Sequence, residues 1–272
     1  FGRITLDDLK GWVKGRLAGA SAAQGPAAEP LEDFSKYGAV EKVALSSLRK
    51  KIAAQMELAW RTPMVTHFDE VDVTEVEAWR KERSAELKAK GASLTITAIA
   101  IKACAAALRE FPGVNASIDL ARGEMVLKRH YHIGVAVDSE RGLVVPVIRD
   151  VDRKSVTDLA VELLSLAERT REGKTQVEDL QGGSFTITNI GVLGGTGFNP
   201  IINFPQVAIL GLAQARWQPV VRGRHEPFEI VPRLMLPLIL GFDHRVVDGA
   251  DAARFLNRVR ENLEDPEKLL LV

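Results

Sequence analysis

The chain has 272 residues, enough for one large or two small domains, and 46% of them are hydrophobic, which suits a packed core. Lysine plus arginine and aspartate plus glutamate both number 36, so net charge gives no pull toward nucleic acid or an anionic membrane. A single cysteine, Cys104, excludes a disulfide framework or a cysteine metal cluster within one chain, and no apolar run approaches the ~20 residues of a membrane-spanning helix.

FGRITLDDLK begins as a piece of folded domain, without a secretory signal. Residues 1–17 have the rhythm of a short helix, with Thr5 as cap, Asp8 as its partner and Leu9, Trp12 and Val13 on one face. Residues 18–33 open with the Ala, Gly and Pro of AGASAAQGPAAEP and read as an extended linker. The folded core is expected from about Phe34, as one domain over 34–272. Ser46 or Ser47 caps a helix running to about Trp60, ended by Thr62-Pro63. A strand is expected over 64–73, then a helix opened by a Thr74/Glu77 capping box and closed at Gly91. Residues 95–110 form a strongly apolar helix, in which Cys104 is a small buried hydrophobe. Arg122-Gly123 and Arg141-Gly142 punctuate hairpins, with strands near 125–128, 131–137 and 143–148. Ser155 with Asp158 opens a helix ending at Gly173. Strands follow near 184–189, 206–216 and 233–242, and a last helix spans roughly 249–263. The order lacks a regular βαβ alternation and shows no internal repeat. The fold class this implies is α+β, a large mixed sheet covered by helices.

GFDHRVVDGADAARF (241–255) joins the last strand to the last helix. His244 sits at that junction, where a side chain can point into a cleft, and an imidazole with an ordinary pKa of about 6.5 is the usual carrier of a proton near neutral pH. The bland alternative is a histidine that only hydrogen-bonds at a strand end. Asp248 follows four residues later. Asp243 and Arg245 flank His244, and either is able to set its orientation. FTITNIGVLGG (185–195) places Thr186 and Thr188 on one face of a strand, a pattern any half-exposed strand also shows. The glycines of NIGVLGGTGFNP match neither dinucleotide nor phosphate-loop patterns and read as a flexible turn. His67, His130 and His132 fall in expected strands. The 130/132 pair shares a face but has no carboxylate-rich partner motif, so no metal site is assigned. His225 lies in a polar loop.

DHRVVDG resembles the His-x-x-x-Asp-Gly signature of the dihydrolipoamide acyltransferases, the cores of 2-oxo acid dehydrogenase complexes. SLRKKIAAQM (47–56), FTITNIGVLGG, NPIINFPQVAILGLA (199–213) and RLMLPLILGFDHRVVDGADAARF (233–255) look like this family in the same order, over roughly 36–272. GRITLDDLKGWV looks like the C-terminal end of the family's peripheral-subunit-binding domain. HFDEVDVTEVEAWR and RLMLPLILGFDHR look most like the acetyl-transferring cores of pyruvate dehydrogenase complexes.

The resemblance implies a chloramphenicol-acetyltransferase-like sandwich. It also implies transfer of an acyl group, acetyl above succinyl or branched-chain, between dihydrolipoamide and coenzyme A. A non-catalytic scaffold and an antibiotic-modifying enzyme are the alternatives. A thiol with a pKa near 8.5 must lose its proton to attack a thioester, and the resulting oxyanion needs a positioned donor. By resemblance His244 is the base and Thr188 the donor. Asp248 supports the site, and Arg49 looks like the arginine that pairs with such an aspartate. The family further implies lipoamide carried on a lipoyl domain outside this sequence. Its other partners are the decarboxylating dehydrogenase and dihydrolipoamide dehydrogenase. Its setting is the bacterial cytoplasm or the mitochondrial matrix. The core expected is a homotrimer sharing each site between two chains and building a 24- or 60-subunit particle through the apolar tail EKLLLV (267–272).

Overall fold

The computed structural model describes residues 31–88, 92–140, 142–223, 227–265 and 267–268. The chain divides into two units, Phe1–Ala44 and Leu45–Val272. The described part of the first holds one 3-10 turn, Phe34–Lys36, capped by the Asp33 carboxylate, which accepts from the Ser35 N–H and hydroxyl. The helix expected over 1–17 and most of the linker lie outside the described residues. The expected start of the core near Phe34 falls inside this first unit.

The second unit alternates short helices and strands: α1 (Ser47–Trp60), β1 (Met64–Asp72), α2 (Thr74–Lys88), α3 (Ile96–Glu110), β2 (Ala116–Asp119), β3 (Glu124–Leu127), β4 (Ile133–Val135), β5 (Val147–Ile148), α4 (Val156–Arg171), β6 (Phe185–Asn189), β7 (Ala208–Leu212), β8 (Arg216–Arg222), β9 (Glu229–Asp243) and α5 (Gly249–Glu264). Local chemistry sets most helix starts. Ser46, Thr95 and Asp248 each accept from a backbone N–H three residues on, and Ser155 with Asp158 forms the expected capping box. Arg122-Gly123 turns the β2–β3 hairpin, with Gly123 at φ 68°. Among the described residues no helix is long and apolar enough to cross a membrane.

Seven strands form one mixed sheet in the order β1-β9-β7-β6-β4-β5, with β8 also on β9. The pairs β4–β6 and β6–β7 are parallel and the other pairs antiparallel. Alternation along the strands sorts the sheet into two faces. Val71, Ile133, Val135, Phe185, Ile187, Leu210, Leu238, Leu240 and Phe242 point to one face and join α3, α4 and α5 in a single core. Phe255 of α5 anchors it, edge-on to Phe111 and tilted against Phe185 at centroid distances of 6.0 and 5.8 Å. Truncating such a ring to alanine costs about 3–5 kcal/mol. Lys102, although buried in α3, donates to the carbonyls of Asp152 (3.2 Å) and Lys154 (2.9 Å), which satisfies its ammonium. The opposite face carries Thr66, Phe68, Gly134, Thr186, Thr188, Ile209, Gly211, Ile239 and Gly241, in register across five strands.

Four expectations about elements are corrected. The single strand over 206–216 is two strands, β7 and β8, which occupy successive stretches of the same edge of β9. Pro237 of β9 has no N–H to give at the break, and its carbonyl accepts from Ala213 (3.2 Å). The strand over 233–242 extends back to Glu229 to hold β8. The strands over 131–137 and 143–148 shorten to β4 and β5 plus one Val137–Val144 bridge, because Pro146 interrupts the ladder. The Thr74/Glu77 capping box does not form. The Thr74 hydroxyl donates to Asp72 (2.6 Å) and accepts from the Leu234 N–H (2.8 Å), while Glu77 pairs with Arg80. The closure at Gly91 lies outside the described residues.

Candidate active site

β9 ends at Asp243 and α5 begins at Gly249, so residues 244–248 form the connection between sheet and helix. The backbone holds that connection from both sides. Asp243 donates its N–H to Val207 O (2.8 Å) beside β7, and His244 donates to Pro63 O (3.1 Å) beside β1. The Asp243 carbonyl then accepts from Val246 and Val247, both at 3.0 Å. The His244 imidazole stands exposed, with the Phe242 ring 5.9 Å away and tilted by 33°. Among the described residues it makes no side-chain hydrogen bond. An exposed, unengaged imidazole on a rigid turn is free to take a proton from an incoming group.

Asp248 is the N-cap of α5. Its carboxylate accepts from the Asp251 N–H at 2.8 Å, which fixes where the helix starts relative to His244. Arg49, in the first turn of α1, is exposed and lies beside Gly142, where an added Cβ would stand 3.8 Å from Nη2. Within the chain, and among the described residues, Arg49 forms no ion pair with Asp248 or with any other carboxylate.

Of the two threonines on the face of β6 turned away from α3, α4 and α5, Thr186 is buried and donates to Gln206 Oε1 at 2.7 Å. Thr188 is half-buried, and its hydroxyl has no hydrogen-bond partner among the described residues. Asn189 secures the strand end just after it, donating to Thr97 Oγ1 (2.9 Å) and accepting from the Gly191 N–H (2.8 Å). The segment that follows returns over this face of the sheet. Phe198 packs on Gly211 and the Pro200 carbonyl on Gly241, at distances where a Cβ would meet them at 2.6 and 3.1 Å. Asn189 and Gln206 hold the strand that carries Thr188. The Asn-x-Gly spacing at 189–191 is a usable signal for a side-chain-closed turn, whereas Gln206 carries none.

The register measures how far apart the two principal candidates are. Thr188 is level with Gly211, and Gly211 with Ile239. His244 is therefore five residues beyond Ile239, just past the end of β9, and two strands over. At roughly 3.3 Å per residue and roughly 4.8 Å per strand, the backbone separation is about 19 Å. A base and an oxyanion donor each have to come within about 3 Å of the reacting atoms. Thr188 and His244 of one chain do not meet that requirement.

The other histidines stand elsewhere. His130 and His132 have their rings 4.7 Å apart, and the His132 Nδ1 accepts from the Asp150 N–H at 3.0 Å. Burial first, then the neighbouring His132 and Lys128, hold the His130 pKa below its ordinary value. No group of three or more His, Cys, Asp or Glu able to hold a metal occurs among the described residues. His67 is half-buried on β1, opposite Leu240. His225 lies outside the described residues. Cys104 is fully buried, which pushes its thiol pKa up and removes it from nucleophilic chemistry.

Comparison with known proteins gives consistent matches. The model of the 2-oxoacid dehydrogenases acyltransferase (catalytic domain) family matches residues 37–271. The dihydrolipoyllysine-residue acetyltransferase component of the pyruvate dehydrogenase complex from Pseudomonas aeruginosa is 45% identical over 278 residues, covering 99% of this chain and 50% of that protein. The same component from Cupriavidus necator is 43% identical over 284 residues, with the same coverage. The chain thus spans about half the length of the curated relatives it matches. Among solved structures, the Azotobacter vinelandii dihydrolipoamide acetyltransferase matches with a TM-score of 0.84 at 43% identity, over 89% of this chain and 98% of that one. It was studied for the roles of a serine, a histidine and an asparagine in its catalytic mechanism, the last two four positions apart. The cubic core of a pyruvate dehydrogenase multienzyme complex matches with a TM-score of 0.84 at 44% identity and the same coverage.

Proposed function

The chain belongs to the 2-oxoacid dehydrogenases acyltransferase family, and from that membership we propose that it transfers an acetyl group between dihydrolipoamide and coenzyme A. The observation that carries the reading is the exposed His244 imidazole, without a side-chain hydrogen bond among the described residues, on a turn pinned to β1 and β7, four residues before Asp248. The spacing equals that of the histidine and asparagine studied in the Azotobacter vinelandii enzyme. Here an aspartate stands at the second position, and its carboxylate is taken up by the cap of α5.

The roles follow from what the step requires. His244 removes the proton of the attacking thiol, so that sulfur bonds to the thioester carbon. The Thr188 hydroxyl donates to the oxyanion that develops there. When the carbonyl re-forms, the other carbon–sulfur bond breaks and His244 returns its proton to the departing sulfur. The exchange is balanced without a metal or an external oxidant. Asp248 fixes the helix start behind the base. Arg49 is placed by resemblance as a supporting residue for Asp248.

The roughly 19 Å between Thr188 and His244 in one chain supports a site built from two chains, His244 from one and Thr188 from its neighbour. A homotrimer supplies such a site at each of its interfaces. The exposed face of α1 is a surface available for it. By the same family resemblance the trimers assemble into a 24- or 60-subunit core through residues 267–272. That core would work with a lipoyl domain, the decarboxylating dehydrogenase and dihydrolipoamide dehydrogenase. Residues 1–17 would be the end of a peripheral-subunit-binding domain, joined through 18–33 to the catalytic part.

The test is turnover with free dihydrolipoamide and acetyl-, succinyl- or isobutyryl-coenzyme A. Preference for acetyl supports the reading. Preference for either larger acyl group moves the specificity, and silence toward all three leaves a scaffold.

A further inference from the structure

Asp243 and Arg245 stand on either side of His244 and are bonded to each other across it. Asp243 is the last residue of β9 and only 2% exposed, so its carboxylate needs a partner. Arg245 supplies three donors. Its N–H reaches Asp243 Oδ1 at 3.0 Å, its Nε the same oxygen at 2.9 Å, and its Nη2 reaches Oδ2 at 2.6 Å. The fork fixes direction as well as distance, because guanidinium and carboxylate must be coplanar to share two bonds. The backbone on each side is already tied, to Val207, Pro63, Val246 and Val247. His244 therefore projects from a loop closed by an ion pair between its two neighbours. Among the described residues the imidazole has no side-chain hydrogen bond of its own to aim it.

We infer that Asp243 and Arg245 are positioning residues for His244, holding the turn so that the imidazole faces the attacking thiol. The inference rests on the base role proposed for His244. It separates the pair from two plainer roles. If the pair only stabilised the fold, its loss would lower the unfolding temperature and leave turnover per folded molecule alone. If Arg245 bound substrate through its remaining N–H groups, its loss would raise KM.

The experiment uses the assembled protein and measures kcat, KM for acetyl-coenzyme A and for dihydrolipoamide, thermal unfolding and sedimentation. The variants are Asp243→Asn, Arg245→Lys, the double variant and His244→Ala. Arg245→Lys keeps the charge on a side chain 30% exposed and removes only the fork, so it decides the matter even if Asp243→Asn fails to fold. Small misplacements at a reacting centre cost up to about a hundredfold in rate, so each single variant should lose roughly ten- to a hundredfold in kcat with KM within about threefold. The double variant should be no worse than the poorer single one, since both break the same pair. A kcat within twofold of wild type in Arg245→Lys, a change confined to KM, or multiplicative losses in the double variant would each overturn the inference. Full activity in His244→Ala would overturn the base role and the inference with it. Loss in His244→Ala with intact clamp variants would overturn the inference alone.

Discussion

The ring of Phe198 lies so close to Gly211 that a Cβ added there would stand 2.6 Å from its tip. Gly211 is the neighbour of Thr188 across the β6–β7 ladder. The missing side chain at 211 is what lets the segment after β6 lie down beside the candidate donor. Gly211→Ala should therefore destabilise the protein by about 1–3 kcal/mol, the usual cost of overpacking. It should also lower kcat, because the displaced ring sits next to the strand that carries Thr188. Urea unfolding and steady-state kinetics measure both, and adding Phe198→Leu should return much of the stability. An unchanged denaturation midpoint in Gly211→Ala would show that the ring moves aside freely.

Removing the Thr188 hydroxyl should act on charge present only in the transition state. Thr188→Ala is expected to lower kcat by roughly 10²–10³ with little change in KM. Thr188→Ser keeps the donor and should be mild. Equal losses in the two variants would take the hydroxyl out of the chemistry and leave a packing role for the methyl group.

His244→Ala should nearly abolish turnover at neutral pH, because a general base contributes about 10²–10⁴-fold. Its exposed position on a turn held by backbone bonds predicts an unchanged unfolding temperature and particle size. More than a tenth of wild-type turnover in the variant would remove His244 from the role.

Some of this architecture is legible from residues alone, and the reasons differ from place to place. The start of α5 could be read because Asp248 and Gly249 are strong local signals and the apolar positions that follow keep helical spacing. Helix α3 could be read because it is apolar on nearly every side. β7 and β8 look like one strand in the sequence because AILGLAQAR (208–216) has no turn residue at the break. What separates the strands is Pro237, distant in sequence, which interrupts the opposing edge. Thr74 misled for a related reason. Its hydroxyl serves a sheet neighbour, Leu234, that local spacing does not reveal. At the site, the chemistry of His244 is local, whereas its distance from Thr188 depends on register across three strands.

Lys128 offers a pH-dependent stability difference. Burial pushes its ammonium down to about 8, while its Nζ donates to the Ala116 carbonyl at 3.0 Å. In the unfolded chain the group titrates near its ordinary value of about 10.4. Between these values the unfolded chain binds the extra proton, so stability rises as pH rises from about 8 toward about 10. Lys128→Met lacks this contribution. The unfolding temperature of wild type relative to Lys128→Met should therefore climb over that window and run level below it. Parallel curves from neutral pH to about 10 would mean that the ammonium is solvated in the folded protein.

The separation of Thr188 from His244 makes the sharpest prediction. Suppose His244→Ala and Thr188→Ala chains are co-expressed and assemble together. If base and donor came from one chain, every site would keep one lesion whatever the mixture. If each site takes His244 from one chain and Thr188 from the next around a three-fold ring, the order of chains matters. Any ring containing both kinds has one junction where an intact His244 faces an intact Thr188, and one where both are missing. Random mixing in equal amounts makes about three-quarters of the rings mixed, each with one restored site in three, so about a quarter of wild-type activity should return. Mass spectrometry of the purified particles establishes that both chains are present. Activity no higher than the average of the two parent variants, in particles shown to be mixed, would place both residues in a single-chain site. A register slip in the sheet or a large movement on substrate binding would then have to close the gap of about 19 Å.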